Sequence, residues 1–107
     1  MSDAVKYKRT GEDWDYEFDF SNSLRSTETV DTVANGSSVT AKKSDGVTDN
    51  TVIGTVTPTS QILRAHITGG TDLEDYIVTF HAKATTSADE WEKVLELRVR
   101  NAIVGGF

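Results

Sequence analysis

Alternation of apolar and polar residues between Ile62 and Arg100 constrains the fold of this chain more than any other feature. Three runs, at 62–67, 76–84 and 93–100, are separated by two short turns. Side chains of the last two runs that share one face are Tyr76, Val78, Phe80, Leu95, Leu97 and Val99. A period of two residues is the pattern of a strand with one buried face, so each run predicts a β-strand.

A second alternating stretch, at 13–20, places aromatic rings on one face and carboxylates on the other. The rings belong to Trp14, Tyr16, Phe18 and Phe20, and the carboxylates to Asp13, Asp15, Glu17 and Asp19. A register slip of one residue would bury four acids, so we expect a firmly specified pairing. With Ile67 and the six residues above, these four aromatics form the predicted core.

No stretch of useful length has the helical period, and turn signals recur every 8 to 12 residues. For a chain of 107 residues, this pattern predicts a single all-β domain, an antiparallel sandwich of about seven strands. A small β-barrel is the alternative. We expect a flexible or edge-strand segment at 1–12, the sandwich at 13–101 and a tail at 102–107.

The middle third has little bulk and a weaker pattern. We expect strands at 27–33, 37–43 and 51–57, with a hairpin turn at Asn35-Gly36, because both residues accept positive φ. The only proline, Pro58, should lie at a strand end or in a connection, since it cannot serve a central ladder.

Composition excludes several classes of function. There is no cysteine, which removes disulfides, thiolate metal sites and cysteine nucleophiles. The net charge of −6 with dispersed basic residues argues against a nucleic-acid partner. No apolar run approaches the length of a membrane helix, and no signal-peptide pattern opens the chain. We therefore expect no membrane partner and no cofactor.

Neither the histidines nor the carboxylates predict a reaction or a metal site. His66 and His81 should point outward from different sheets of a sandwich, although a hairpin within one sheet would bring them together. The acidic turns lack the D-x-D-x-D-G spacing of a calcium loop. A pair of acids for glycoside hydrolysis would also need a deep cleft, which a small sandwich rarely offers. We expect no catalytic residues, no metal ligands and no enzyme.

Partner contact is the remaining role for a few side chains. Trp91, in a predicted turn, is the candidate aromatic anchor. Asp72, Glu74 and Asp75 form an acidic corner before the central strand and are further candidates. Tyr76 begins that strand, where we expect a buried ring with its hydroxyl bonded to upstream backbone.

Two segments also resemble a known family. Residues 13–24, with the run Asp13-Trp14-Asp15-Tyr16-Glu17-Phe18-Asp19-Phe20-Ser21 and a nearby Leu24, and residues 62–100, with Gly69-Gly70-Thr71, resemble small immunoglobulin-like domains of tailed bacteriophages and prophages. The tryptophan expected in the family's third strand is absent, and residues 35–60 are longer than usual.

The resemblance implies a non-enzymatic structural or accessory module on a phage tail, fibre or head. Its expected partners are other virion proteins, with self-association as a further option. Its expected location is the virion, or the host cytoplasm during assembly. The alternative is a module that binds carbohydrate or a cell surface, with calcium as a candidate ion that assists the binding.

Overall fold

A computed structural model describes residues 3–101 and shows seven β-strands. They are β1 (Ala4–Lys8), β2 (Trp14–Asp19), β3 (Ser38–Lys43), β4 (Ile53–Thr59), β5 (Ile62–Ile67), β6 (Asp75–Lys83) and β7 (Glu90–Val99). Two 3₁₀ turns, Val33–Asn35 and Asn50–Val52, precede β3 and β4, and the described residues contain no α-helix. The predicted tail at 102–107 lies outside the described residues.

The strands form two sheets, one of four strands in the order β1-β7-β6-β3 and one of three in the order β2-β5-β4. The sheets do not close into a barrel, so the predicted β-sandwich is confirmed and the barrel alternative is wrong. The pairing is not wholly antiparallel as predicted, because β1 runs parallel to β7. The N-terminal segment thus adds an edge strand, and the four-stranded sheet is mixed.

Side chains from both sheets meet in one apolar core. Of the residues predicted for it, nine are buried: Phe18, Phe20, Ile67, Tyr76, Val78, Phe80, Leu95, Leu97 and Val99. Trp14 and Tyr16 are half-buried and pack against the core from its margin. Among residues 3–101, their strand, β2, pairs with one neighbour, β5, and its aromatic side chains become more buried from its start towards its end.

Aromatic rings link the sheets across the core. The ring centroids of Phe18 on β2 and Phe80 on β6 lie 4.9 Å apart at an interplanar angle of 81°. Tyr16 meets Phe80 in a similar edge-to-face arrangement at 6.2 Å. Such contacts bring the positive edge of one ring to the negative face of another and favour a fixed packing.

The corner between β5 and β6 is held by Tyr76. Its buried hydroxyl accepts a hydrogen bond from the Thr71 N–H at 3.1 Å, five residues upstream, in the arrangement that the sequence predicts. Gly70 has φ of 95°, and a Cβ there would lie 2.8 Å from Cγ2 of Val99. The corner therefore needs glycine at this position both for its backbone angle and for space.

The middle third differs from the prediction. Residues 27–33 form no strand, and only Val30 makes a bridge, to Ala84. Asn35-Gly36 ends a 3₁₀ turn and does not form a hairpin. The predicted strands at 37–43 and 51–57 correspond to β3 and β4. Pro58 lies within β4, at the free edge of its sheet, where no ladder bond is lost.

One lysine is fully buried. The side chain of Lys8, at the end of β1, is 0% exposed, and its ammonium donates to the carbonyls of Arg9 and Gly69, each at 2.7 Å. A third acceptor, the carbonyl of Thr10, lies at 3.4 Å. Burial lowers the pKa of Lys8, against attraction from Asp13 and then Glu12. Lys8 thus ties the first strand to the β5–β6 corner.

Candidate partner-binding surface

Exposed apolar side chains gather on the four-stranded sheet and at its corner. Val5 and Tyr7 on β1 are 45% and 50% exposed, and Ile77 on β6 is 41% exposed. Val5 and Ile77 both pair in register with Glu96 of β7, from opposite sides, and Tyr7 pairs with Arg98. The three therefore share the outer face of this sheet.

Leu73 lies two residues before β6, at the end of the sheet that carries Tyr7, and is 76% exposed. Its backbone is in the left-handed region, with φ of 69°, a conformation that costs a leucine about 1–2 kcal/mol. The N–H of Leu73 donates to the carbonyl of Val99 at 2.9 Å, which holds the strained turn in place. We refer to Val5, Tyr7, Leu73 and Ile77 as the apolar surface.

Charged groups within this surface are bonded to one another. Arg98 donates to a single oxygen of Glu96 through Nε at 3.1 Å and Nη2 at 2.8 Å. Its Nη1 donates to the Tyr7 hydroxyl at 3.0 Å, and the guanidinium lies 5.7 Å from the centroid of that ring. Bonds to Glu96 and then to Tyr7 raise the pKa of Arg98. The Arg98 guanidinium therefore orients the Tyr7 ring.

His81 lies on the same outer face, between two glutamates. Its Nε2 lies 2.5 Å from a Glu90 oxygen and its Nδ1 lies 3.0 Å from a Glu92 oxygen. The pKa of His81 is raised, first by the bond to Glu90 and then by that to Glu92. Both nitrogens can donate only in the imidazolium form, so the geometry favours the charged ring. His66 is on β5 of the other sheet, so the two histidines do not form a pair.

The predicted acidic corner is bonded within the chain. An Asp72 oxygen accepts from the Asn101 N–H at 2.8 Å, and Asp75 forms an ion pair with Arg100 at 2.7 Å. A Glu74 oxygen accepts from the Ser44 hydroxyl at 2.9 Å. The three carboxylates therefore brace the ends of neighbouring strands. Among residues 3–101, no group of three or more histidine, aspartate or glutamate side chains could hold a metal ion.

Trp91 is not in a turn as predicted. It is the second residue of β7, pairs with Ala82 and packs half-buried against the core. Leu73, Val5 and Tyr7 were not identified as contact residues from the sequence. The available signal was weak: alternation places Ile77 outward, and only Val5 and Tyr7 stand out in the first eleven residues.

Carboxylates of β2 are matched by polar residues of β5. Glu17 accepts from Arg64 at 2.7 Å, and Asp15 lies 2.8 Å from Nδ1 of His66. Asp13 accepts from the Thr68 hydroxyl at 2.7 Å, and this bond is the first cause of the lowered pKa of Asp13. These cross-strand contacts make the outer face of the three-stranded sheet polar and negative.

The described residues thus form a small β-sandwich with apolar side chains exposed on the larger sheet and at its corner. Comparison with protein families gives the class of protein. Residues 8–100 match the family described as podophage GP4 fiber-tail adaptor protein gp77, and the chain belongs to this family. The expectation of a tailed-phage structural protein is thereby confirmed. No curated protein matches the chain. No helix of residues 3–101 is long and apolar enough to cross a membrane.

Proposed function

We propose that this chain is a non-enzymatic adaptor that joins a tail fibre to the tail of a phage particle through protein–protein contacts. The observation that carries the proposal is the apolar surface, in a chain whose family is described as a fiber-tail adaptor. Tyrosine and arginine side chains are common anchors of protein interfaces, and the burial of apolar side chains around them adds to the binding free energy. A polar rim then sets the orientation of the partner.

The arrangement of the surface supports this role. Val5 and Ile77 flank β7, so they are about 10 Å apart at the usual strand spacing. Arg98 holds the Tyr7 ring in one orientation before any partner binds, which reduces the entropy lost on binding. Leu73 is exposed although its backbone is strained. Strain of this kind persists at functional sites, where the side chain is needed for something other than folding.

We also propose that the sandwich is of the immunoglobulin type. The order β2-β5-β4 in one sheet and β7-β6-β3 in the other corresponds to strands B-E-D and G-F-C of that fold. The parallel strand β1 extends the second sheet beyond β7. Loops at the two ends of such a sandwich are common places for contacts, and Leu73 is in one of them.

Leu73→Asn gives a test that separates binding from folding. Asparagine accepts the left-handed backbone more readily than leucine, so the variant should be as stable as the wild type or more stable by up to about 1 kcal/mol. Its affinity for the phage's own fibre or tail protein should fall by at least about tenfold, the level of an interface anchor. Calorimetry on the purified proteins measures the affinity, and thermal unfolding measures the stability.

Val33→Asn is the matched control. Val33 is 49% exposed in the 3₁₀ turn before β3, and Asn35 of that turn contacts Lys83, at the far end of β6 from Leu73. This substitution should leave the affinity unchanged. Equal affinity of the Leu73→Asn variant and the wild type for every fibre and tail protein would remove the apolar surface from the proposal.

A second candidate, a carbohydrate-binding module, receives no support from a specific observation. Trp91 is half-buried against the core, and the carboxylates of the acidic corner are bonded within the chain. Association with a second copy of the chain stays a proposal, and light scattering of the purified protein measures it. Location in the virion follows from the adaptor role.

A further inference from the structure

We propose that the free edge of β2 binds an extended segment of a partner virion protein, which adds a fourth strand to the three-stranded sheet. The inference rests on the adaptor function proposed above and specifies how one partner is held. It starts from the unequal sheets, which have four and three strands.

Within residues 3–101, the unequal strand number leaves one position beside β2 without a strand. The sheets approach each other most closely along β3 and β4. At the other side, Lys93 of β7 reaches β2, where its ammonium donates to the Asp19 carbonyl at 2.9 Å and lies 5.9 Å from the Phe18 ring centroid. Because β7 lies opposite β2, no strand of the smaller sheet within residues 3–101 lies opposite the next strand, β1. A strand added beside β2 would complete a sandwich of four strands on four.

Backbone hydrogen bonds show which groups face this position. Phe20 N–H donates to the carbonyl of Gln61 at 2.8 Å. Hydrogen-bonded pairs alternate along an antiparallel ladder, so Phe18 and Tyr16 also bond β5. The N–H and C=O groups of Asp15 and Glu17 must then point to the free edge. Within residues 3–101, no hydrogen bond reaches these groups.

Two other edges are protected. The β3 edge is covered by the segment after it, whose Asp49 N–H donates to the carbonyl of Ala41 at 2.9 Å. The β4 edge carries Pro58 and a register shift between Ile53 and Val56. Prolines, bulges and covering segments prevent strand pairing. The third, the β1 edge, belongs to the sheet that already has four strands, whereas the β2 edge belongs to the smaller sheet and has no proline or glycine.

The chemistry of the edge selects the occupant. On the inner side, half-buried Trp14 and Tyr16 meet the vacant position, and Tyr16 is covered by the ammonium of Lys6 at 5.9 Å. On the outer side, the four acids of 13–19 face one guanidinium and one imidazole of β5. A strand with apolar side chains inward and Lys or Arg outward satisfies both sides. We therefore expect alternation of apolar and basic residues in the partner segment.

Amide hydrogen exchange tests the inference. The phage's fibre and tail proteins are co-expressed with the chain, and exchange is measured on the free chain and on each purified complex. In the free chain, the amides of Asp15 and Glu17 should exchange faster than those of Tyr16 and Phe18. In one complex, exchange at Asp15 and Glu17 should slow by about tenfold or more, because hydrogen-bonded amides open only when the added strand leaves.

Two substitutions at one position provide the matched comparison. Glu17→Pro removes the outward N–H, whereas Glu17→Thr removes the same carboxylate and keeps the N–H. Binding of the proline variant should be weaker than that of the threonine variant by about tenfold. Should the proline variant fail to fold, the exchange measurement on the wild type decides alone. A complex in which Asp15 and Glu17 still exchange freely overturns the strand addition and leaves the adaptor function standing. Absence of any complex overturns both.

Discussion

Replacing Lys8 by methionine tests how the first strand is fastened to the sandwich. The substitution keeps the length of the side chain and its apolar stem but removes the ammonium. The carbonyls of Arg9 and Gly69 then lose a donor that lies 2.7 Å from each. Arg9 is exposed, so its carbonyl can bond to water instead, whereas Gly69 is half-buried.

The size of the effect follows from these bonds. A hydrogen bond to a charged group contributes about 1.5–3 kcal/mol net. The Gly69 bond contributes in full and the Arg9 bond in small part, and the cost of burying the ammonium is set against them. We therefore expect Lys8→Met to lower the free energy of unfolding by about 2–3 kcal/mol. For a domain of this size, roughly 5 °C of melting temperature corresponds to 1 kcal/mol. Lys8→Met should therefore lower the melting temperature by about 10–15 °C.

Urea unfolding and thermal unfolding followed by circular dichroism measure the loss. Lys6→Met is the control, because Lys6 is on the same strand but exposed. Its contact with the Tyr16 ring, at 5.9 Å, contributes about 0.5–1 kcal/mol at most. The reasoning is refuted if Lys8→Met unfolds within about 0.5 kcal/mol of the wild type, since a buried ammonium with two close acceptors would then contribute nothing.

The pH dependence of the stabilities of the wild type and Lys8→Met gives an independent check. Burial lowers the pKa of Lys8 in the folded chain, while the unfolded chain has the ordinary value of about 10.4. Between these two values the unfolded state binds more protons, so the stability of the wild type rises with pH. The difference between wild type and Lys8→Met should therefore widen as pH rises towards about 10.4. If the stability difference between the two proteins narrows over this pH range, the pKa of Lys8 is not lowered in the folded chain.

Three further predictions concern the corner and the outer face. Tyr76→Phe removes the bond to the Thr71 N–H and should cost about 1–2 kcal/mol in urea unfolding; an unchanged midpoint would show that the hydroxyl does not hold the corner. Gly70→Ala places a Cβ 2.8 Å from a Val99 methyl at φ of 95° and should lower the free energy of unfolding by about 2–3 kcal/mol. An unchanged free energy of unfolding would show that the corner can shift to make room for the Cβ. For His81, whose pKa is raised, an NMR titration should give a value above the ordinary 6.5. The contribution of charged His81 to stability should be complete below about pH 6.5 and should disappear as pH rises through the pKa of His81 in the folded chain. The His81→Gln variant should not show this dependence.

The sequence predicts those parts of the fold in which alternation acts on large side chains. Phe80 and Leu97 each have polar neighbours on both sides in their strands, and burying one face leaves a single register. Residues 27–33 have the composition of a strand, yet they form only an isolated β-bridge, between Val30 and Ala84. Threonine and valine favour a strand only where a partner strand is available, and composition does not show that this segment has none.

The surface was predicted less well because it depends on contacts between distant segments. Lys8 reads as one of several dispersed basic residues, and its burial requires the Gly69 carbonyl, 61 positions away. The carboxylates of the acidic corner were candidates for partner contact, but they bond to groups near the ends of strands, as Asp75 does to Arg100. Leu73 stands among those acids and gives no periodic signal. It is exposed and has a left-handed backbone angle, and no local pattern indicates either property.

An adaptor must hold two partners at once, and β1 contributes to both proposed contacts. Tyr7 and Val5 project from its outer side into the apolar surface. On its inner side, Lys6 reaches Tyr16 across the position that an added strand would occupy. Within the described part of the chain β1 pairs with one strand, β7, and Lys8 fastens its end to the β5–β6 corner. Because a partner at either contact buries β1 further, binding of each partner should stabilise β1 against local opening.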